Sequence, residues 1–472
     1  MMNNFVKNKI AVFVAVAVCF AAPFSASAAG QDRYGSTQAE AAYNLGLSKN
    51  NFIQSLQNSL AKSSPQETLK LFDTLPAELS EDFDILYLKS ALNLSAGNYK
   101  EASQICSSLR TANPGNQDAL ELGIVIATAQ GDTKTKSALV NELLKKDPYN
   151  SAANITIGDD YFARKNYKQA LAYYEKALVN DSNNVDAKFG VGRAAYYLKD
   201  DEKAKKTFKS IIEIDPTYAP GYSYLGKIAA ANKENKIASS YAEKALELDS
   251  ENYDYLMDYG MYENTMEHSE NAIKAWTKAI KLQPDYFLAY AYRGGLYDAE
   301  NMLDQACEDY KMVVKLNPDY YFAYEELGVI YLHKEQWTLA REAFEKCYEK
   351  QKDNISYPLM ITYCYYRENN SFKAREFSDK VLRKMDRSSI EYAMLRVFHD
   401  RGGEMPLAQK IAQLGSRQQQ GKMYFYLGLL YELYGGVEAS REWYSKVLSM
   451  NCPMFFEYRL AEWSVQPNDS AK

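Results

Sequence analysis

A 34-residue period runs from Lys49 to Ser388 through ten consecutive windows, with no insertion or deletion. A repeat of that length cannot bury its own apolar surface and must stack on its neighbours. The chain is therefore expected to form one stacked array, not the three domains its length would otherwise suggest. With each window numbered from 1, position 8 is glycine in six successive windows: Gly158, Gly192, Gly226, Gly260, Gly294 and Gly328. Glycine inside a helix costs about 1 kcal/mol relative to alanine. Its recurrence at one offset implies close backbone approach between helices.

Position 20 is alanine in Ala102, Ala170, Ala204, Ala238, Ala272, Ala306, Ala340 and Ala374, with Thr68 and Lys136 as the exceptions. Position 24 carries bulky residues such as Phe72, Tyr174, Phe208, Trp276, Tyr310 and Phe344, and position 27 is apolar from Leu75 to Val381. These offsets share one helical face, so small and large groups interlock along it. Proline at position 32 (Pro114, Pro148, Pro216, Pro284 and Pro318) stops the second helix of a window. Gly131-Asp132 and Lys165-Asn166 mark a short turn between helices A and B, which forces them antiparallel.

With this period, Gly at 8, Ala at 20, an aromatic at 24 and Pro at 32, the chain resembles the tetratricopeptide-repeat family over Lys49 to Ser388. Tyr253 to Tyr286 is a clear example, with Gly260, Ala272, Trp276, Ala279 and Pro284 in place. The resemblance implies an all-α fold, a right-handed superhelical solenoid of antiparallel helix pairs. It weakens over 389–420, a degenerate repeat or hinge that is two residues short and carries Gly402-Gly403 before Pro406. A final unit, 421–454, brings back Leu427-Gly428, Tyr431 and Tyr444. Thr37 to Leu47 reads as a leading helix within 29–48, and Pro453 starts a capping helix with Phe455, Phe456, Leu460 and Trp463 before a polar tail.

At the other end, Lys7 and Lys9 precede an apolar run from Ile10 to Phe24 and then Ala26-Ser27-Ala28, the layout of a cleaved signal peptide over 1–28. The protein is therefore expected to be exported: periplasmic, associated with the cell envelope, or secreted, with a bacterial source. Val18 and Phe20 around Cys19 argue against a lipid anchor there. No later run is apolar for long enough to span a bilayer. The formal charge is −6, and removal of Lys7 and Lys9 would bring it to −8, an unfavourable surface for nucleic acid. Cys106, Cys307, Cys347, Cys364 and Cys452 form no disulfide framework, although Cys347 and Cys364 fall on neighbouring helices and a bridge between them stays open.

Neither catalytic nor cofactor or metal motifs emerge. His268, His333 and His399 fall in different units with no nucleophile or acid constellation around them, and no HExxH, paired CxxC, Walker or GxSxG motif occurs. A binding role is expected instead. The resemblance implies a concave groove lined by helix A at positions 2, 5, 9 and 12: Asp186, Phe189, Arg193 and Tyr196, then Pro220, Ser223, Lys227 and Ala230, then Asp254, Met257, Met261 and Asn264. Arg193 and Lys227 would pair with a carboxylate of an incoming peptide or helix, while the Met and Tyr side chains adapt to it. The family's Lys-5/Asn-9 clamp for chaperone tails is missing. The leading expectation is a non-catalytic protein-binding scaffold of the cell envelope. Its rival is a glycan-handling module for surface polysaccharide, in which exposed tyrosines stack on sugars.

Overall fold

The computed structural model describes residues 36–465, so the signal segment, Cys19 and the polar tail from Gln466 lie outside the described residues. The regular elements within that range are 25 α-helices and two short 3-10 helices. They form two compact units, one ending at Ile228 and the other starting at Ala229.

The first unit opens with α1 (Ser36–Leu60), then α2 (Pro65–Thr68), which continues as a 3-10 segment, Leu69–Thr74. Four regular pairs follow: α3 (Phe83–Ser95) with α4 (Tyr99–Ala112), α5 (Gln117–Gln130) with α6 (Thr133–Lys146), α7 (Ser151–Ala163) with α8 (Tyr167–Ala177), and α9 (Val185–Tyr197) with α10 (Asp201–Ile214). The unit boundary falls within α11 (Ala219–Ala231). The start departs from expectation in two ways. Thr37–Leu47 is not a separate leading helix but runs unbroken into helix A of the first window. That window's helix B is a short turn plus 3-10 helix, because Pro76 holds Leu75 extended and ends it at Thr74. Thr68, buried where eight of the windows have alanine, shares a 2.9 Å hydrogen bond with Ser59.

The second unit holds α12 (Asn235–Leu248), α13 (Tyr253–Thr265), α14 (Ser269–Leu282), α15 (Phe287–Ala299), α16 (Leu303–Leu316), α17 (Tyr321–His333), α18 (Trp337–Lys350), α19 (Ser356–Arg367) and α20 (Ser371–Leu382). Beyond the strict register come a shortened pair, α21 (Ile390–Asp400) and α22 (Glu404–Ala412), and a full pair, α23 (Arg417–Leu433) and α24 (Val437–Ser449). The last helix is α25 (Phe456–Val465).

The recurring glycine admits a ring, not a second backbone. A Cβ added at Gly158, Gly192, Gly260 or Gly328 would fall 2.6, 2.7, 2.4 or 2.8 Å from the ring of Tyr174, Phe208, Trp276 or Phe344, the position-24 residue of the same window. Gly428 and Tyr444 repeat the arrangement at 2.4 Å in the last pair. These rings are among the largest fully buried side chains, each contributing about 2–3 kcal/mol by burial. In the window 117–150 the sizes are exchanged, with Ile124 at position 8 and Val140 at position 24 in one apolar cluster.

The turns are as regular as the packing. Position 15 is left-handed in Gly97 and Gly131, and equally in Lys165, Lys199, Lys233, Glu267, Asn301, Glu335 and Asn369, whose φ lies between 54° and 65°. That conformation lets the next amide close the end of helix A, as in Asp132 N to Ala127 O (2.9 Å) and Asn166 N to Tyr161 O (2.9 Å). Asn116, Asn150, Asn184 and Asn252, all at position 34, then cap the following helix A through their side chains. Ion pairs such as Lys203–Glu175 (2.5 Å) and Lys350–Asp319 (2.5 Å) link neighbouring windows, but they are exposed to solvent, which screens them, and they add little to stability.

Gly131 isolates the conformational cost, because nothing lies within 4 Å of a Cβ built there. Gly131→Val is expected to destabilise the first unit by about 1–2 kcal/mol through its positive φ alone. Chemical denaturation monitored by circular dichroism checks this; an unchanged midpoint would show that the turn relaxes.

Candidate partner-binding surfaces

Five of the expected groove residues on the first unit are charged or aromatic: Asp186, Phe189, Arg193, Tyr196 and Lys227. Asp186 is exposed near the start of α9, but Phe189, one turn on, is buried at 6 % exposure. Its ring sits 6.0 Å from Phe208, 5.4 Å from Tyr218 and 5.7 Å from Tyr224. The Arg193 guanidinium lies 4.5 Å from the Phe162 ring centre and 4.8 Å from that of Phe189, and pairs with Asp159 at 3.5 Å. Asp159 also accepts a 2.7 Å hydrogen bond from Tyr174, whose hydroxyl is pushed up by burial first and by this carboxylate second. Phe189 and Arg193 thus join neighbouring repeats and do not stand open to a partner. The physical reason is that aromatic residues in the adjoining windows fill the space at offsets 5 and 9. Tyr196 is half-buried, 5.5 Å from both Tyr197 and Tyr224, and the Lys227 ammonium lies 5.5 Å from the Tyr224 ring.

Four more candidates, Asp254, Met257, Met261 and Asn264, lie on α13 in the second unit. Asp254 and Asn264 are exposed, and Met261 is 41 % exposed. Met257 is half-buried, with its carbonyl accepting a long 3.4 Å hydrogen bond from Trp276 Nε1.

A cavity of about 660 Å³ opens at the N-terminal ends of α5, α7 and α9. Its apolar surface comes from Ile124, Val125 and Ile155, and Glu121, Asp147, Asp186 and Asp215 supply carboxylates, with no lysine or arginine among the lining residues. Local hydrogen bonds fix three of these acids. Glu121 accepts from Gln117 (3.0 Å) and Asn150 (3.1 Å), Asp147 from Asn180 (2.8 Å), and Asp215 from the Thr217 hydroxyl (2.6 Å). Such a lining favours a segment with apolar side chains and positive charge. Asp186 was legible as a site residue. Asp147 and Asp215 were not, because they occupy the turn at position 31, outside the four helix A offsets; their recurrence next to position-32 proline in two windows was the available signal.

A second cavity, of about 500 Å³, lies in the second unit among α17, α18, α19, α23, α24 and α25. Glu432 accepts hydrogen bonds from Tyr363 (2.7 Å) and Tyr444 (2.6 Å), and Arg367 stacks 4.2 Å from the Trp337 ring centre. Nearby, burial and then Asp298 push Glu326 up to about 7, against the pull of Arg459.

The histidines are built into local contacts. His268 meets the buried Glu263 at 3.1 Å, His333 packs on Trp463 at 4.2 Å between ring centres, and His399 meets Ser378 at 3.0 Å. Burial opposes ionisation of Glu263, but hydrogen bonds from Ser239, Asn271 and His268 prevail and hold it below the usual carboxylate range. Cys347 and Cys364 are buried, unbridged thiols, both pushed up by burial. Among the described residues, no group of three or more His, Cys, Asp and Glu is arranged to hold a metal, and no helix is long and apolar enough to cross a membrane.

Comparison with known proteins follows the same pattern. A family model described as tetratricopeptide repeat matches residues 155–219. TPR repeat-containing protein MJ1428 of Methanocaldococcus jannaschii is 28% identical over 238 residues, covering 49% of this chain and 38% of that protein. The DnaJ homolog subfamily C member 7 homolog of Schizosaccharomyces pombe is 26% identical over 181 residues, 35% of this chain and 38% of that one. The chain therefore spans less than two fifths of the length of either relative. Among solved structures, that titled YrrB, a TPR protein with an unusual peptide-binding site, is 20% identical with a TM-score of 0.34, covering 39% of this chain and 95% of that one.

Proposed function

We propose that this chain, whose residues 155–219 match a tetratricopeptide-repeat family model, is a non-catalytic scaffold of the cell envelope that grips a cationic, partly apolar segment of a partner protein. The observation that carries this reading is the first unit's cavity, with Glu121, Asp147, Asp186 and Asp215 around Ile124, Val125 and Ile155. Its polarity differs from the expectation that Arg193 and Lys227 would meet a carboxylate. Arg193, one of the two cations assigned to an incoming carboxylate, is turned to Asp159 and two aromatic faces, whereas the charge lining the cavity is negative. Envelope placement is supported by the Lys7, Lys9 and Ile10–Phe24 pattern followed by Ala26-Ser27-Ala28.

The test uses fluorescence anisotropy with two labelled peptides, one alternating Lys or Arg with Leu and Val, the other with Glu in place of each cation. The basic peptide should bind, and weaken as salt rises. The acidic one should not bind. Asp186→Lys combined with Asp215→Lys should weaken the basic peptide by about tenfold or more. Equal affinity for both peptides, or an unaffected double variant, would remove this reading.

A further inference from the structure

The last helix does more than cover the end of the array. Arg459 of α25 makes hydrogen bonds to Asp298, 161 residues earlier on α15, at 2.7 and 2.5 Å, and approaches Glu326 of α17 at 3.6 Å. Its guanidinium lies 4.3 Å from the ring centre of Trp463, one turn on, which packs against His333. Phe456 stacks on Phe344 of α18 at 5.7 Å. Glu457 accepts from Ser356 of α19 at 2.5 Å and from Tyr426 of α23 at 2.7 Å. Asp298 and Ser356 stand at positions 12 and 2 of their windows, two of the offsets at which the sequence placed a partner-binding groove. The helix thus lies where an incoming ligand would.

Two features mark it as an occupant that fits incompletely. Glu457 is fully buried, yet its Oε2 has no hydrogen-bond partner, so docking α25 carries a desolvation cost that the helices around it do not share. Beside it, the cavity of about 500 Å³ is lined in part by Leu460, Trp463 and Ser464 of α25 itself. A ligand with more bulk at those places would fill space that α25 leaves open.

We propose that the second unit is a receptor for an amphipathic helix carrying an arginine between aromatic residues, and that α25 is its displaceable internal ligand. The occupant to which this commits is a partner helix with the α25 chemistry: Phe at one position, Arg three residues on and Trp four residues further, as in Phe456, Arg459 and Trp463. Asp298 reads the arginine, and the surfaces around Phe344 and His333 read the rings. While α25 is bound, this surface is closed, and a partner gains access by the difference between its affinity and that of α25. The inference concerns the second unit and does not depend on the cationic-peptide reading of the first.

The probe is a labelled synthetic peptide of residues 453–465, tested against the full chain. In the Arg459→Glu chain, repulsion from Asp298 and Glu326 should release α25, and the peptide should bind at least about tenfold more tightly than to the wild type. Adding Asp298→Ala should abolish that gain. Equal binding to wild type and Arg459→Glu, or none to a folded Arg459→Glu chain, overturns the proposal. Hydrogen exchange on the wild type gives an answer that needs no variant. The amides of α25 should exchange at least about tenfold faster than those of α23. Exchange of α25 only together with α23 would make it an integral part of the core and refute displacement.

Discussion

Gly260→Ile is expected to destabilise the second unit by about 3 kcal/mol, an overpacking penalty at the upper end of the usual range. A Cβ at that position would lie 2.4 Å from Trp276 Nε1 and 2.8 Å from its Cδ1. The indole has no room to retreat: it is 1 % exposed and stacks on Tyr292 at 5.6 Å. Removing a helical glycine returns about 1 kcal/mol of propensity at most, which does not offset the clash. Gly260→Ala should show the same sign with a smaller loss. The compensating change is suggested by the chain itself, since Ile124 is paired with Val140 at the same two offsets. Gly260→Ile with Trp276→Val should therefore recover a substantial part of the loss, and a double-mutant cycle by thermal unfolding measures the coupling. Losses that simply add would mean that glycine and ring are not packed as a pair.

The second large effect concerns charge. Arg293 on α15 donates to Asp309 on α16 through Nε at 2.8 Å and Nη2 at 2.7 Å, and its Nη1 donates to Thr277 at 2.8 Å. The two side chains are only 16% and 6% exposed. Arg293→Leu would strand the Asp309 carboxylate in the interior, and a loss of about 3 kcal/mol is expected. Arg293→Leu with Asp309→Leu should be much closer to wild type, because no uncompensated charge remains. Chemical denaturation of the three variants separates the outcomes. If the double variant is as unstable as Arg293→Leu alone, packing by the arginine stem, not the stranded charge, sets the cost.

The contrast between these pairs explains what the sequence made visible. The glycine and ring offsets lie within one window and recur, so the helix pairs and their apolar faces were legible from Gly158, Tyr174 and their counterparts. The left-handed turn was legible at Gly131, but Lys199 and Glu335 adopt the same conformation without advertising it, because the adjoining helix ends impose it. The candidate surfaces were less legible. Phe189 and Arg193 sit at the expected offsets, yet their environment is set by Phe162 and Tyr224 from the adjoining windows and by Tyr218 at the end of their own. Asp147 and Asp215 line a cavity because successive turns converge there. The return of α25 to Asp298 joins residues 161 apart in the chain, a separation that no local pattern records.

The capping asparagines have an evolutionary consequence. Asn116, Asn150 and Asn184 are each followed by the first residue of a helix A. Unequal recombination that removed residues 151–184 would join Asn150 to Val185 and restore the same asparagine cap at the junction. The gene can lengthen or shorten by whole units without inventing a new joint. What changes is how many helix ends meet around a cavity, so a lineage can alter which ligands it holds by counting repeats as well as by substituting residues.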